Sequence, residues 1–263
     1  MGSVRGNETN LSLEKERCSR DLSTRHIMNK VEQFKNIIEN SNNIVFFGGA
    51  GVSTESGIPD FRSKDGLYNM KYDFPPEQIL SHTFFFNNTE EFYRFYKDKM
   101  NSLNIKPNIT HIKLKELEDK KKLKCVITQN IDGLHSKAGS KNVLEIHGTI
   151  YSNHCIKCNK YYDAEFVFKS KGIPKCTCGG IVKPDVVLYE EALNDSFNEA
   201  INYIKKCDTL IVAGTSLMVY PAASLIHYFK GKNLILINKD KTPYDDIATL
   251  VIHDELKNIF SNI

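Results

Sequence analysis

The chain has 263 residues, 41% of them hydrophobic and 25% charged, with a formal charge of +3. That is enough to bury the core of one or two domains, and too evenly charged to imply a polyanionic partner. No apolar run approaches the roughly 18 residues of a membrane helix. The densest basic cluster, Lys120, Lys121, Lys122 and Lys124, stands beside Glu116, Glu118 and Asp119, so it reads as solvated surface and direct nucleic-acid binding is disfavoured.

In chain order, residues 1–27 come first and differ from the rest. They hold Arg5, Arg17, Arg20 and Arg25, whereas only Arg62 and Arg94 follow in a body that otherwise uses Lys. With no apolar core they are not a secretory signal, and with Met28 as a plausible start they read as a non-native or disordered extension. Five short apolar runs then predict buried parallel strands at 44–47, 125–127, 143–146, 210–213 and 234–237, with a weaker sixth at 250–252. Apolar residues at helical spacing over 31–38, 112–117 and 197–204 alternate with them. Strand–helix alternation implies an α/β fold, a Rossmann-like doubly wound parallel sheet.

Polar and glycine residues follow the strands: Gly48-Gly49-Ala50-Gly51, Thr128 to Asp132, His147-Gly148, Gly214-Thr215-Ser216 and Asn238-Lys239-Asp240. Ligands bind outside the carboxyl ends of such strands, so these segments are expected to share one cleft. Two stretches break the alternation. Residues 64–105, rich in Phe and Tyr, read as a helical insertion, and 151–183 as a cysteine module. Together they form a smaller domain beside a nucleotide-binding domain made of 28–63, 106–150 and 184–263.

Cys155, Cys158, Cys176 and Cys178 crowd together among seven cysteines. Four thiolates spaced C-x2-C, then seventeen residues, then C-x-C can surround a tetrahedral zinc ion. Four protein sulfurs leave no open position, so the metal is expected to be structural. Gly179 and Gly180 supply backbone freedom to the tight second knuckle. A redox dithiol is the competing reading. This cysteine usage, without a signal peptide, suits a reducing compartment and hence the cytoplasm.

The glycine turn after residue 47 lets backbone N–H groups approach a pyrophosphate, and a following helix would add its positive end. The spacing is not G-x-G-x-x-G, and a tight structural turn explains such glycines equally well. The continuation is far more specific. Residues 49–62, Gly-Ala-Gly-Val-Ser-Thr-Glu-Ser-Gly-Ile-Pro-Asp-Phe-Arg, resemble the sirtuin signature almost residue for residue. Thr128-Gln129-Asn130-Ile131-Asp132-Gly133-Leu134-His135, Glu145-Ile146-His147-Gly148, Pro184-Asp185-Val186-Val187 and residues 214–223 match in the family's order. The resemblance runs from about residue 28 to 253 and is closest to compact bacterial members.

By position alone His147, ending a buried strand at the cleft, is as much a candidate base as a packed histidine. The resemblance makes it the general base of an NAD-dependent protein-lysine deacylase. The acyl-lysine oxygen would attack the nicotinamide-bearing ribose carbon, nicotinamide would leave, and the acyl group would pass to ADP-ribose. By the same resemblance, Ile131 and Asp132 line the carboxamide pocket, Gln129 and Asn130 position the ribose, and Phe61 screens the reactive carbon from water. Gly49, Ala50, Gly51, Thr54 and Arg62 belong to the cofactor loop. Gly214, Thr215 and Ser216 contact phosphate and ribose, and Asn238 and Lys239 the adenosine side. The implied partners are acetylated or otherwise acylated protein lysines. Asn130 and Asp132 could instead merely cap a helix starting at Ile131. ADP-ribosyl transfer to protein and a non-catalytic NAD- or zinc-binding module are the alternative functions.

Two departures from the family matter. Tyr189-Glu190-Glu191 stands where Phe-Gly-Glu is common, and Ser63 where glycine is common. A Tyr-x-x-Arg pair marks members that remove acidic acyl groups. Here Tyr93 matches but Tyr96 holds the arginine position, while Arg94 and Lys97 should be turned aside on the helix. Burying a carboxylate without a cation is costly, so acetyl and other neutral acyl groups are the expected substrates.

Overall fold

The computed structural model describes residues 25, 27–60 and 73–263. Phe61, Arg62 and Ser63 lie outside the described residues, as does nearly all of 1–27. Among the described residues nine strands are formed: β1 (Ile44–Gly48), β2 (Leu123–Thr128), β3 (Val143–Glu145), β4 (Gly148–Cys155), β5 (Tyr161–Tyr162), β6 (Val182–Val186), β7 (Thr209–Ala213), β8 (Asn233–Ile237) and β9 (Leu250–Ile252). Six make a wholly parallel sheet in the order β3-β2-β1-β7-β8-β9. The order reverses between β1 and β7, which is where an open α/β sheet leaves a crevice at its carboxyl edge.

Helices α1 (27–40), α2 (Pro76–Ile79), α3 (His82–Asn87), α4 (Thr89–Lys99), α5 (Ile109–Asp119), α6 (Leu134–Lys137), α7 (Ala164–Lys169), α8 (Ser196–Lys206) and α9 (Leu256–Phe260) complete the architecture. Along β1, Phe46 packs on one face with Phe34, Leu114 and Phe260 of α1, α5 and α9. Phe47 packs on the other with Ile204 of α8 and Leu225 of a 3-10 segment. Both faces are covered, so the strand is apolar throughout rather than alternating.

β5-β4-β6 form a separate antiparallel sheet. It shares one aromatic core with the helical insertion, where Phe85, Phe92, Tyr93 and Tyr96 meet Ile150, Val167 and Val182. Helix α4 is built for that position, burying Phe92, Tyr93, Phe95 and Tyr96 while Glu90 and Glu91 open it and Lys97 and Lys99 close it, in favourable alignment with its dipole.

Several details differ from the sequence-based expectation. The boundaries expected at 150/151 and 183/184 fall inside β4 and β6, because pairing between these strands starts at Gly148 and Val186 and continues to Cys155 and Val182. Ile27 lies within α1 and packs on the core, so the helix crosses the 27/28 boundary. β3 ends at Glu145 rather than Ile146. No helix is long and apolar enough to cross a membrane among the described residues.

Candidate active site

Two loops meet at the switch point. Gly51 N–H donates to Gly214 O at 2.8 Å and Gly49 N–H to Ala213 O at 3.3 Å. A Cβ on Gly51 would lie 2.8 Å from Gly214 Cα, and Gly214 itself has φ +60°, so this contact requires both glycines. The finding corrects the expectation of a free N–H cradle. The N–H groups of Gly49, Gly51, Val52 and Ser53 all donate within the protein, and two 3-10 turns, Ala50–Val52 and Thr54–Ser56, follow where a helix was expected. The absent side chains allow close approach; these donors are already used. Asn108, the N-cap of α5, braces the same loop by donating from Nδ2 to Val52 O at 2.8 Å and Ser56 Oγ at 3.0 Å.

After β2, Asn130 Nδ2 donates to Gly49 O at 3.1 Å and to Ser53 Oγ at 3.0 Å, and Ser53 Oγ donates to Asp132 Oδ2 at 2.6 Å. Ser53 thus joins the side chain expected to position the ribose to the one expected to line the carboxamide pocket. The signature contained it, but only the structure reveals this linking position. Asp132 Oδ1 accepts from Leu134 N at 2.9 Å in an Asx-type turn ahead of α6, whose N-cap is Gly133, so no helix starting at Ile131 is capped by it. Asn130 takes no part in that turn. Burial holds the Asp132 carboxyl above its ordinary value, while Ser53, the Leu134 amide and Lys137 pull it back.

His147 reaches the same edge. Its Nδ1 lies 3.0 Å from Gln129 O, and burial lowers its pKa below the ordinary 6.5 although that carbonyl acts in the opposite direction. The neighbouring Gly148 has φ +76°, and a Cβ there would lie 1.9 Å from Asp185 O, so glycine lets β6 come against the strand end beside His147. Val187 N then donates to His147 O at 2.9 Å, leading the chain from the histidine to the 188–191 rim. Glu145, two residues before His147, has its carboxyl pushed up to about 7, chiefly by burial, with Asp132 also raising it and Thr149 lowering it.

Toward β8, Gln129 Nε2 donates to Thr215 Oγ1 at 2.9 Å, and Thr215 N donates to Asn238 Oδ1 at 2.8 Å. Asn238 Nδ2 is buried with no partner among the described residues, an orphan donor that a polar ligand would satisfy. Ile131 is half-buried, with its carbonyl fixed by Ile150 N at 3.1 Å. Thr54 and Ser216 are exposed, Ala50 is half-buried, and Lys239 is exposed and paired with Glu255 at 3.0 Å. The residues expected at the cofactor cleft thus come together at one edge, except Phe61 and Arg62, which lie outside the described residues.

Glu190 has φ +75°, the left-handed conformation that glycine would adopt without strain. Its carboxylate accepts from Thr83 N at 2.8 Å, and Glu191 accepts from Leu188 N at 2.9 Å and meets His82 Nδ1 at 2.9 Å. The missing glycine therefore leaves the turn's backbone geometry in place and adds side-chain ties to α3. On α4, Tyr93 donates to Val182 O and Tyr96 is wholly buried between Phe92 and Phe168. Arg94 is turned to Glu91 and Asp73, and Lys97 Nζ donates to Ser170 O and Gly172 O, both at 2.6 Å.

The sulfurs of Cys155, Cys158, Cys176 and Cys178 all lie within 4.8 Å of one another, and three of the pairs are 3.4–3.5 Å apart. Sulfurs about 2.3 Å from a tetrahedral zinc are separated by about 3.8 Å, so the set fits that ion. Gly179 has φ +82°, and a Cβ on Gly180 would lie 2.6 Å from Cys155 Sγ, which explains the glycine pair.

Residues 49–221 match the Sir2 family. An NAD-dependent protein deacetylase of Clostridium perfringens is 59% identical over 239 residues, covering 89% of this chain and 98% of that protein. A Sir2 structure with deacetylated p53 peptide and 3'-O-acetyl ADP-ribose superposes with TM-score 0.81 at 38% identity, over 88% of this chain and 96% of the other. A second, Sir2 with p53 peptide and NAD+, gives TM-score 0.78 at 38% identity, over 87% and 95%. The chain belongs to the Sir2 family.

Proposed function

We propose that this chain is an NAD-dependent protein-lysine deacetylase in which His147 is the general base. The observation that carries the reading is the meeting of Asn130, Asp132 and His147 at one sheet edge, with the histidine's Nδ1 held against Gln129 O at 3.0 Å. A pure binding module has no use for a neutral imidazole oriented in this way.

When bound, NAD supplies an electrophilic ribose carbon and nicotinamide as its leaving group. Ile131 and Asp132 hold the carboxamide, and Gln129 and Asn130 orient the ribose. Thr215 and Ser216 contact the phosphate and ribose side, and Asn238 and Lys239 the adenosine side, where the orphan Asn238 amide is a ready donor. The glycine-rich loop with Gly49, Ala50, Gly51, Thr54 and Gly214 lets the cofactor approach the backbone. By the family resemblance Phe61 would screen the reactive carbon from water, and Arg62 would belong to the cofactor loop. His147 Nε2 accepts the proton of a ribose hydroxyl, which makes that oxygen the acceptor of the acyl group. Zinc on the four cysteines holds the β4–β6 module together and takes no part in the chemistry. The reduced cysteines fit a cytoplasmic enzyme.

The test is incubation with NAD and an acetyl-lysine peptide. Nicotinamide, free lysine peptide and 2'-O-acetyl-ADP-ribose should appear in equal amounts. Nicotinamide release with ADP-ribose attached to protein would assign transferase chemistry instead, and no release would remove the enzymatic reading.

A further inference from the structure

The loop after α4 and the helix after Asp132 are tied together behind the carboxamide pocket. Ser102 Oγ donates to Asp132 O at 3.0 Å. Lys137, on α6, donates from Nζ to Ser102 O at 2.8 Å, Leu103 O at 3.0 Å and Ile105 O at 3.3 Å, and lies over the Tyr151 ring at 5.3 Å from its centre. Tyr151 also covers Gly133, whose φ is +68° and where a Cβ would lie 2.5 Å from the ring. Asp132 and Gly133 are thus gripped from the helical insertion by Ser102, from α6 by Lys137, and from β4 by Tyr151. A lysine whose charge meets main-chain carbonyls, an aromatic face and the potential of a buried carboxylate is more than a solvated surface cation.

We infer that Lys137 is a positioning residue for the nicotinamide pocket: its charge keeps Asp132 in the form that holds the carboxamide, and its carbonyl contacts lock the 102–105 loop behind it. This rests on the proposed NAD chemistry. Both oxygens of Asp132 already accept donors, Ser53 Oγ and Leu134 N, so protonation would displace one of them. Burial drives the carboxyl toward protonation; the Ser53 hydroxyl and the Leu134 amide oppose it most, and Lys137 is the cation that adds to them. The other titratable groups around the pocket do not replace that charge. Glu145 is acidic and couples unfavourably to Asp132, and His135 is turned to Phe46 and His111, with its pKa far below the ordinary 6.5 through burial.

The experiment measures NAD dissociation constants by calorimetry from about pH 5 to 8. It uses the His147→Ala background, so that the base's own titration does not contribute. The wild-type chain, assayed in parallel for nicotinamide release, reports on the underlying reading. Lys137→Gln keeps a donor but removes the charge, and Lys137→Arg keeps the charge. NAD affinity should start to fall a few tenths of a pH unit higher in the glutamine chain than in the lysine chain, with about twofold weaker binding at pH 6. Lys137→Arg should restore the original midpoint. Ser102→Ala, which removes the other strut without altering charge, should weaken NAD at every pH and leave the midpoint in place. Coincident glutamine and lysine curves, or a midpoint displaced equally by Ser102→Ala, would overturn the assignment while leaving a working wild-type enzyme. If the glutamine chain does not fold, Lys137→Met, which also removes the charge, takes its place: a midpoint that moves to higher pH supports the assignment, and one that stays with the lysine chain overturns it.

Discussion

His147 Nδ1 lies 3.0 Å from the main-chain oxygen of Gln129. A carbonyl can only accept, so Nδ1 carries the proton and Nε2 keeps its lone pair. Replacing His147 by Ala is expected to reduce acetyl removal by about 10²- to 10⁴-fold, the range for a lost general base. Zinc content and NAD affinity should remain near wild type. Turnover of the acetyl peptide, read beside elemental analysis and NAD titration, checks all three; comparable turnover would remove the base assignment.

The His111 and His135 rings are 4.6 Å apart between α5 and α6, and both are buried. Burial lowers His111 to about 4 and His135 well below its ordinary value. The unfolded chain therefore binds more protons below pH 6.5. Stability is full above 6.5 and declines as pH falls toward 4, with His111 alone accounting for roughly 3 kcal/mol. Urea unfolding at pH 7.5, 6 and 5 should show that slope. His135 has no hydrogen-bond partner among the described residues, and His135→Phe should flatten the slope. An unchanged slope would mean the imidazoles find solvent on acidification.

A Cβ on Gly180 would meet Cys155 Sγ at 2.6 Å and Lys157 Cβ at 2.8 Å. Gly180→Ala should therefore lower zinc content well below one ion per chain and loosen the β4–β6 module. Chelation of wild type should do the same and abolish activity, since β4 also supplies Gly148 and the Ile150 contact to Ile131. Full zinc occupancy in Gly180→Ala would show that the knuckle can shift.

Near α4, Arg94 is committed to Glu91 and Asp73, and Lys97 to Ser170 and Gly172. With no cation released, a succinyl carboxylate would have to enter an aromatic surrounding uncompensated. Acetyl and propionyl versions of one peptide should exceed the succinyl version in kcat/KM by about tenfold or more, equivalent to about 1.4 kcal/mol. Equal values would place one of these cations, or Arg62, in the acyl channel.

The parallel sheet was legible because its strands are apolar on both faces, so 44–47 and 210–213 stand out without alternation. The cysteine cluster and the histidine proposed as the base were equally readable, since ligand spacing and signature motifs are local features. The roles of Ser53, Ser102, Lys137 and Glu145 were not. Ser102 is 30 residues from Asp132, and no pattern of residue types forecasts a hydroxyl meeting that carbonyl.

Composition and motif order by themselves determined the α/β class, the four-cysteine cluster and the family, because each depends on residue type at short spacing. Only the tertiary structure decided that Gly51 and Gly214 pack against each other, that Glu190 takes a left-handed backbone conformation, and how Asp132 is tied to Ser53 and Ser102. Those outcomes depend on approach distances between segments far apart in the chain. Close packing fixes such distances to fractions of an ångström, and sequence spacing does not encode them.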